Sequence, residues 1–186
     1  MEQAYLSDQG LNLRVLYSRE RIEAEVSRLA AEIADAYAGR ELLVVIVLKG
    51  ALFFAADLLR AMRVPVEMDF LKLSSYHGTQ STGKVLIEQD LVTDVAGRDV
   101  LVIEDIVDTG LTLSFLLDLL RQRGARSLGV CTLIDKRQRR QLEVTPDYIG
   151  ISCADGFLVG YGLDLDERMR ELPEIYQIIE NPLGGV

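Results

Sequence analysis

The amino-acid sequence predicts an α/β fold, a mostly parallel central sheet flanked by helices, and three observations carry that expectation. Short continuous runs of aliphatic, β-branched residues recur, among them LLVVIVL (42–48), DVLVIEDIV (99–107) and SLGVCTLID (127–135). Strands covered on both faces read this way. Segments with helical spacing separate them, ALFFAADLLRAM (51–62) and LTLSFLLDLLRQRG (111–124), and strands alternating with helices favour parallel pairing. The charged breaks of the chain, at Lys49-Gly50, 104–112, 135–140 and 164–170, each follow an apolar strand run. Ligands of such sheets bind at the carboxyl ends of the strands, so the breaks point to one shared site.

Taken in order, Ile22, Val26, Leu29, Ile33 and Tyr37 recur at helical spacing from Arg19 to Ala38, and Gly39 follows as a stop. The run 42–48 is a buried strand, broken by Lys49-Gly50 before the next helix, which ends by Val64-Pro65. VEMDFLKLSS (66–75) alternates as a strand, with Val66, Met68, Phe70 and Lys72 on one face. SYHGTQSTG (75–83) is small, polar and turn-rich, a mobile loop. VLIEQDL resumes extended structure, and DYIGIS and FLVGYGL complete the strands. Residues 1–39 carry no site motif and read as packing or subunit contact, and the tail 181–186 is expected to fray. Without an internal repeat or linker, residues 1–186 read as one domain.

Hydrophobic residues make up 49% of the chain and charged ones 26%, enough apolar content for a core and too little charge for disorder. The net charge of −9 argues against a nucleic-acid or anionic-membrane surface while leaving room for a local basic pocket. The first ten residues lack the basic start and apolar run of a secretory leader, and no run is long enough to span a bilayer. Cys131 and Cys153 sit in apolar surroundings with neither disulfide nor zinc spacing, as small buried hydrophobes. A cytoplasmic protein is expected.

The segment VLVIEDIVDTGLTL (100–113) is the most informative. Two acids, Glu104 and Asp105, follow an apolar strand, and Asp108-Thr109-Gly110-Leu111-Thr112 then opens a helix. The first N–H groups of a helix lack intrahelical partners and its dipole favours an anion there. Gly110 permits close approach and the two threonines add hydroxyls, which makes a phosphate cradle without a lysine. Carboxylates beside a phosphate need a partner of their own, either vicinal sugar hydroxyls or a divalent cation. Asp108 also suits a simple helix N-cap.

VIEDIVDTGLT resembles the phosphoribosyl-pyrophosphate motif of the type I phosphoribosyltransferases. LKGALFFAADL, SSYHGTQSTGKV, LIDKR and FLVGYGLDLDERMRELP narrow the resemblance to the hypoxanthine-guanine (6-oxopurine) branch, in the same order and over most of residues 48–173. The resemblance implies the type I fold, with a small hood formed by the terminal segments. It implies transfer of the phosphoribosyl group from 5-phosphoribosyl 1-pyrophosphate to hypoxanthine or guanine, with Mg2+, in a homodimer or homotetramer. Residue by residue, it implies that Asp108, Thr109, Gly110, Leu111 and Thr112 hold the 5′-phosphate, and Glu104 and Asp105 the ribose hydroxyls. Asp108 falls where the family's general base handles the purine N7 proton. Lys49, Gly50 and Arg170 match the pyrophosphate contacts, in a loop whose peptide bond is often cis. Lys136 matches the donor to the 6-oxo group, Phe157 the ring that stacks on the purine and Leu158 the backbone that reads its edge. Asp164 matches a metal ligand beside the base, with Glu104 as a further metal contact, and Ser75-Tyr76 match the closing flap.

Other readings of the same residues are weaker. Phe157 in an apolar run is ordinarily core, Arg137, Arg139 and Arg140 read as a solvated basic turn, and Asp166 and Glu167 as solvated acids. Gly78 to Lys84 fits the start of a P-loop, but Val85 replaces the required hydroxyl and an extended run replaces the helix. A sugar-phosphate-sensing regulator would need a partner surface that an acidic chain of this size scarcely offers. Among sister enzymes, an adenine user is disfavoured by Lys136, which donates but cannot accept.

Overall fold

The aliphatic runs form the centre of the computed structural model, which describes residues 5–8, 11–75, 85–154 and 156–180. In chain order the elements are β1 (Tyr5–Asp8), β2 (Leu11–Tyr17), α1 (Arg19–Ala36), β3 (Leu42–Leu48), α2 (Leu52–Met62), β4 (Val66–Ser75) and β5 (Val85–Gln89). There follow β6 (Asp99–Val107), α3 (Leu111–Gln122), β7 (Ser127–Asp135), a 3-10 turn (Arg137–Arg139), β8 (Tyr148–Ser152), β9 (Leu158–Val159) and β10 (Ile175–Glu180).

The central sheet has the order β5-β4-β3-β6-β7-β8. All its neighbours pair parallel except β4 and β5, an antiparallel hairpin at one edge. Successive side chains of a strand point to opposite faces, and here both faces are apolar. Val44, Ile46, Leu101 and Ile103 pack with Ile22, Leu29, Phe54 and Leu58 of α1 and α2. Leu43, Val45, Val100 and Val102 pack with Leu113, Leu116 and Leu120 of α3 on the other side. Burying each such side chain contributes about 1.5–3 kcal/mol, which lets β6 carry two poorly compensated acids at its end.

The α1 helix begins at Ser18, whose hydroxyl accepts the Arg21 N–H at 3.4 Å. All five residues of its predicted apolar stripe are buried. β4 packs on both faces, with Val66 and Phe70 on the α1 and α2 side. Leu71 is buried on the α3 side, whereas Met68 is 56% exposed. β5 pairs only with Lys72–Ser75 of β4, and beside the first half of that strand the Val92 and Thr93 N–H groups donate to Asp69.

A second, antiparallel sheet of order β1-β2-β10-β9 joins the two ends of the chain. It is the hood, with a core of Leu11, Leu13, Val159, Met169 and Tyr176. Neither β2 nor β10 was evident as a strand in the sequence. The run FLVGYGL, in contrast, is a strand only at Leu158–Val159. Gly160, Tyr161 and Gly162 take positive φ values of 94, 50 and 103°, which no strand accommodates. The break 164–170 therefore lies in the hood, between β9 and β10, and does not follow a central strand. The hood meets the body where the Tyr161 hydroxyl donates to Asp57 Oδ2 of α2 at 2.7 Å. Among the described residues no helix is long and apolar enough to cross a membrane. Neither cysteine is in a disulfide, and both are buried.

Candidate active site

The end of β6 and the start of α3 form the floor of the cleft. Gly110, with φ 84°, is the residue before the helix, and no side chain caps it. Asp108 is therefore not the N-cap, because the left-handed turn at Gly110 moves the cap two residues on. The Leu111 N–H makes only a long contact, 3.4 Å, to the Thr109 hydroxyl. An uncapped helix start offers its N–H groups and dipole to an anion. Asp108, Thr109, Gly110 and Thr112 line a cavity of about 240 Å³. Asp108 Oδ1 lies 3.2 Å from Arg139 Nε.

Glu104 and Asp105 stand deeper. Burial raises the Glu104 carboxyl well above its usual range, and the neighbouring Asp105 charge adds to the effect. Its Oε2 is buried without a hydrogen-bond partner. Burial likewise pushes Asp105 up to about 6, against the pull of the Ile106 N–H, which donates to it at 2.8 Å. Two acids in this state can accept hydroxyl donors or share a cation.

Both acids also line a cavity of about 370 Å³ together with Lys49, Gly50, Thr112, Asp164 and Arg170. The structure thus brings the expected pyrophosphate, ribose and metal residues to one place. The strand β3 presents Lys49, through a cis peptide bond that lies at Leu48–Lys49, one bond before the position expected. Gly50 touches Asp105 so closely that a Cβ there would collide with the carboxylate. A Cβ at Gly162 would in turn collide with the Gly50 carbonyl. Hood, β3 loop and β6 end are therefore stacked through two glycines.

Glu167 is exposed, as expected of a solvated acid, and is also paired. It accepts from Lys49 Nζ and Arg170 Nη2, each at 2.9 Å, and those two cations hold its carboxyl down at about 2. Arg170 also donates to the Gly162 carbonyl at 2.7 Å and pairs with Asp164 at 3.0 Å. No local signal marks Glu167, since Lys49 lies 118 residues away.

Lys136 begins just after β7 and is 4% exposed. Its N–H donates to the Val107 carbonyl at 2.9 Å, which sets it beside the residue preceding Asp108, and its Nζ donates to the Gly156 carbonyl at 2.6 Å. Phe157 follows Gly156 and is 39% exposed, so it is not the core aromatic that an apolar run suggests. Leu158 is buried in β9. Neither Lys136 nor Phe157 lines the two cavities above. The basic turn is likewise not all solvated: Arg140 is buried against Asp135. Ser75 ends β4 opposite Val85, so the expected flap springs from the hairpin whose Lys72 and Ser74 line the larger cavity. Tyr76 and the segment Gly78 to Lys84 lie outside the described residues. Val85–Gln89 is a strand, the context that a P-loop excludes.

The phosphoribosyl transferase domain model matches residues 14–166. The hypoxanthine-guanine phosphoribosyltransferase of Bacillus subtilis is 48% identical over 163 residues, 87% of this chain and 91% of that protein. The enzyme of the same name from Mycobacterium avium is 46% identical over 88% of this chain and 87% of its own. The crystal structure of a hypoxanthine phosphoribosyltransferase from Staphylococcus aureus superposes with a TM-score of 0.86 at 40% identity, over 90% of this chain and 94% of that one. The central sheet, the hood and the segment from Glu104 to Thr112 thus belong to a shared architecture, and the chain is a member of the phosphoribosyltransferase family, in its hypoxanthine-guanine branch.

Proposed function

We propose that this protein transfers the phosphoribosyl group of 5-phosphoribosyl 1-pyrophosphate to hypoxanthine or guanine, giving the nucleoside monophosphate and pyrophosphate. The observation that carries the reading is the uncapped helix start at Gly110 beside two strained acids, with the donor Lys136 one strand away. In this reading the backbone and hydroxyls of Thr109 to Thr112 take the 5′-phosphate. Glu104 and Asp105 take the ribose hydroxyls, whose donors relieve the acids. Lys49, Gly50 and Arg170 hold the pyrophosphate, with Glu167 as the anion they grip in its absence.

The base enters from the β7 side. Lys136 donates to its 6-oxo group, Phe157 stacks on the ring and the Leu158 backbone reads the edge. An ammonium cannot accept from an adenine amino group, so the oxo form is selected. Asp108 accepts the N7 proton as the new bond forms. Ser75 and Tyr76 close the cleft, because a ribosyl cation-like transition state must be kept from water.

Among the described residues no three metal-binding side chains form a ready cage. The site nonetheless fits Mg2+, which is held by one or two carboxylates plus substrate oxygens. Asp164 and the orphaned Glu104 oxygen line the same cavity and supply hard donors. When bound there, the ion neutralises charge developing on the pyrophosphate. The same reading makes the protein a cytoplasmic purine-salvage enzyme and a homodimer or homotetramer.

The test is an ultraviolet assay with the sugar phosphate, Mg2+ and hypoxanthine, guanine, xanthine or adenine in turn. Turnover with hypoxanthine or guanine and none with adenine is expected. Turnover with adenine alone would refute the role given to Lys136.

A further inference from the structure

Behind the sugar-phosphate loop lies a buried ion pair that the reaction described above does not use. Asp135 ends β7 and is fully buried, and its carboxylate takes Arg140 Nη2 and, at 3.3 Å, Arg137 Nε. Arg140 returns to it across the 3-10 turn, with its side chain only 13% exposed. There the arginine lies against the helix start: a Cβ at Gly110 would stand 3.0 Å from Arg140 Cδ and 3.1 Å from the Leu142 carbonyl. The next two residues grip the same loop, since the Gln141 and Leu142 N–H groups donate to the Thr109 carbonyl at 2.9 and 3.2 Å. Arg139 meets Asp108. Three successive loop residues, Asp108, Thr109 and Gly110, are thus backed by 139–142, and that backing is anchored on the carboxylate at the end of β7.

We infer that Asp135 and Arg140 are positioning residues that set the geometry of the sugar-phosphate loop from behind. The inference rests on reading Thr109 to Thr112 as that loop. The pair does not touch the substrate. It fixes the path of the chain that supports the loop, whereas Lys136, the neighbour of Asp135, has its own anchors on Val107 and Gly156. Loosening the pair therefore acts on sugar-phosphate binding and leaves the Lys136 contact to the base in place. A displacement of the loop by a fraction of an ångström is costly, because its N–H groups must converge on one anion.

Removing Arg140 alone would strand the buried Asp135 charge, so the decisive variant is Asp135→Asn/Arg140→Met, which leaves no buried unpaired ion, Arg137 being 68% exposed. Its KM for 5-phosphoribosyl 1-pyrophosphate is expected to rise about tenfold, with KM for hypoxanthine within about threefold of the parent. Arg140→Lys, which keeps a charge but loses the planar fork, is expected to show the same split more weakly. It decides the matter should the double variant fail to fold by thermal melting. An unchanged KM for the sugar phosphate, or an equal rise in both KM values, would overturn the inference. Thr112→Val separates this failure from that of the underlying reading: if this change also leaves the sugar-phosphate KM unmoved, the loop itself has been misassigned.

Discussion

Glu104 and Asp105 line both cavities of the cleft, and neither has a cation in ion-pair contact among the described residues. For Asp105, burial raises the pKa from 3.8 to about 6. The folded protein thus holds a proton that the unfolded chain has already released between those values, so this group's contribution to stability is lost as pH rises through that window. Above pH 6 the ionised acid strains the empty protein. Asp105→Asn keeps an acceptor for the Ile106 N–H and removes the charge. It is expected to stabilise the ligand-free protein by about 1–3 kcal/mol at pH 7–8, with the gain vanishing near pH 4, while turnover falls. Melting curves across pH 4–8 measure it, and a gain that grows towards acid pH would contradict the burial argument. Asp108 presents a different balance. Its geometry leaves a carboxylate beside Arg139 instead of a cap. Asp108→Asn is expected to lower kcat about 100-fold with sugar-phosphate affinity nearly unchanged by equilibrium titration. Equal loss of both would assign it to binding alone. At this scale the acids, the Asp108 to Thr112 turn and Lys136 were legible because they are contiguous or follow an apolar run. The pairings of Glu167 and Arg140 were not, because a charged residue in a turn shows no partner until the fold is known.

The elements meet at glycines where the chain has no spare room. Gly50, at the end of β3, touches the Asp105 side chain from β6, and Gly162 from the hood touches Gly50. Gly50→Ala must push Asp105 or the β3 loop aside. Overpacking of this kind costs about 1–3 kcal/mol, and since Lys49 and Asp105 both move, kcat/KM is expected to fall at least about tenfold. Gly39 gives the control. It follows α1 with φ 73° and open space around it, so Gly39→Ala should lose about 1 kcal/mol or less through backbone strain and keep full activity. Parallel melting and rate measurements compare the two, and a fully active Gly50→Ala protein would show that the stacked glycines do not position the site. The helices and central strands were readable from periodicity because their apolar faces are local. β9 was overestimated because the sequence of Gly160, Tyr161 and Gly162 does not announce three successive positive φ values.

The whole molecule sets a hood made from both chain ends over the carboxyl edge of the central sheet. β2 and β10 pair across roughly the whole length of the chain, a relation that no local pattern reveals, whereas the family motifs foretold a hood without its strands. The net charge of −9 coexists with cations that pair with acids at one edge, Lys49 and Arg170 with Glu167 and Arg139 with Asp108. The central claim is a group transfer between two bound substrates, and its most direct measurement is the product balance. Purified protein supplied with hypoxanthine, 5-phosphoribosyl 1-pyrophosphate and Mg2+ is expected to release nucleoside monophosphate and pyrophosphate in a one-to-one ratio. Sugar phosphate that binds but is never consumed, or that yields pyrophosphate without nucleotide, would contradict it.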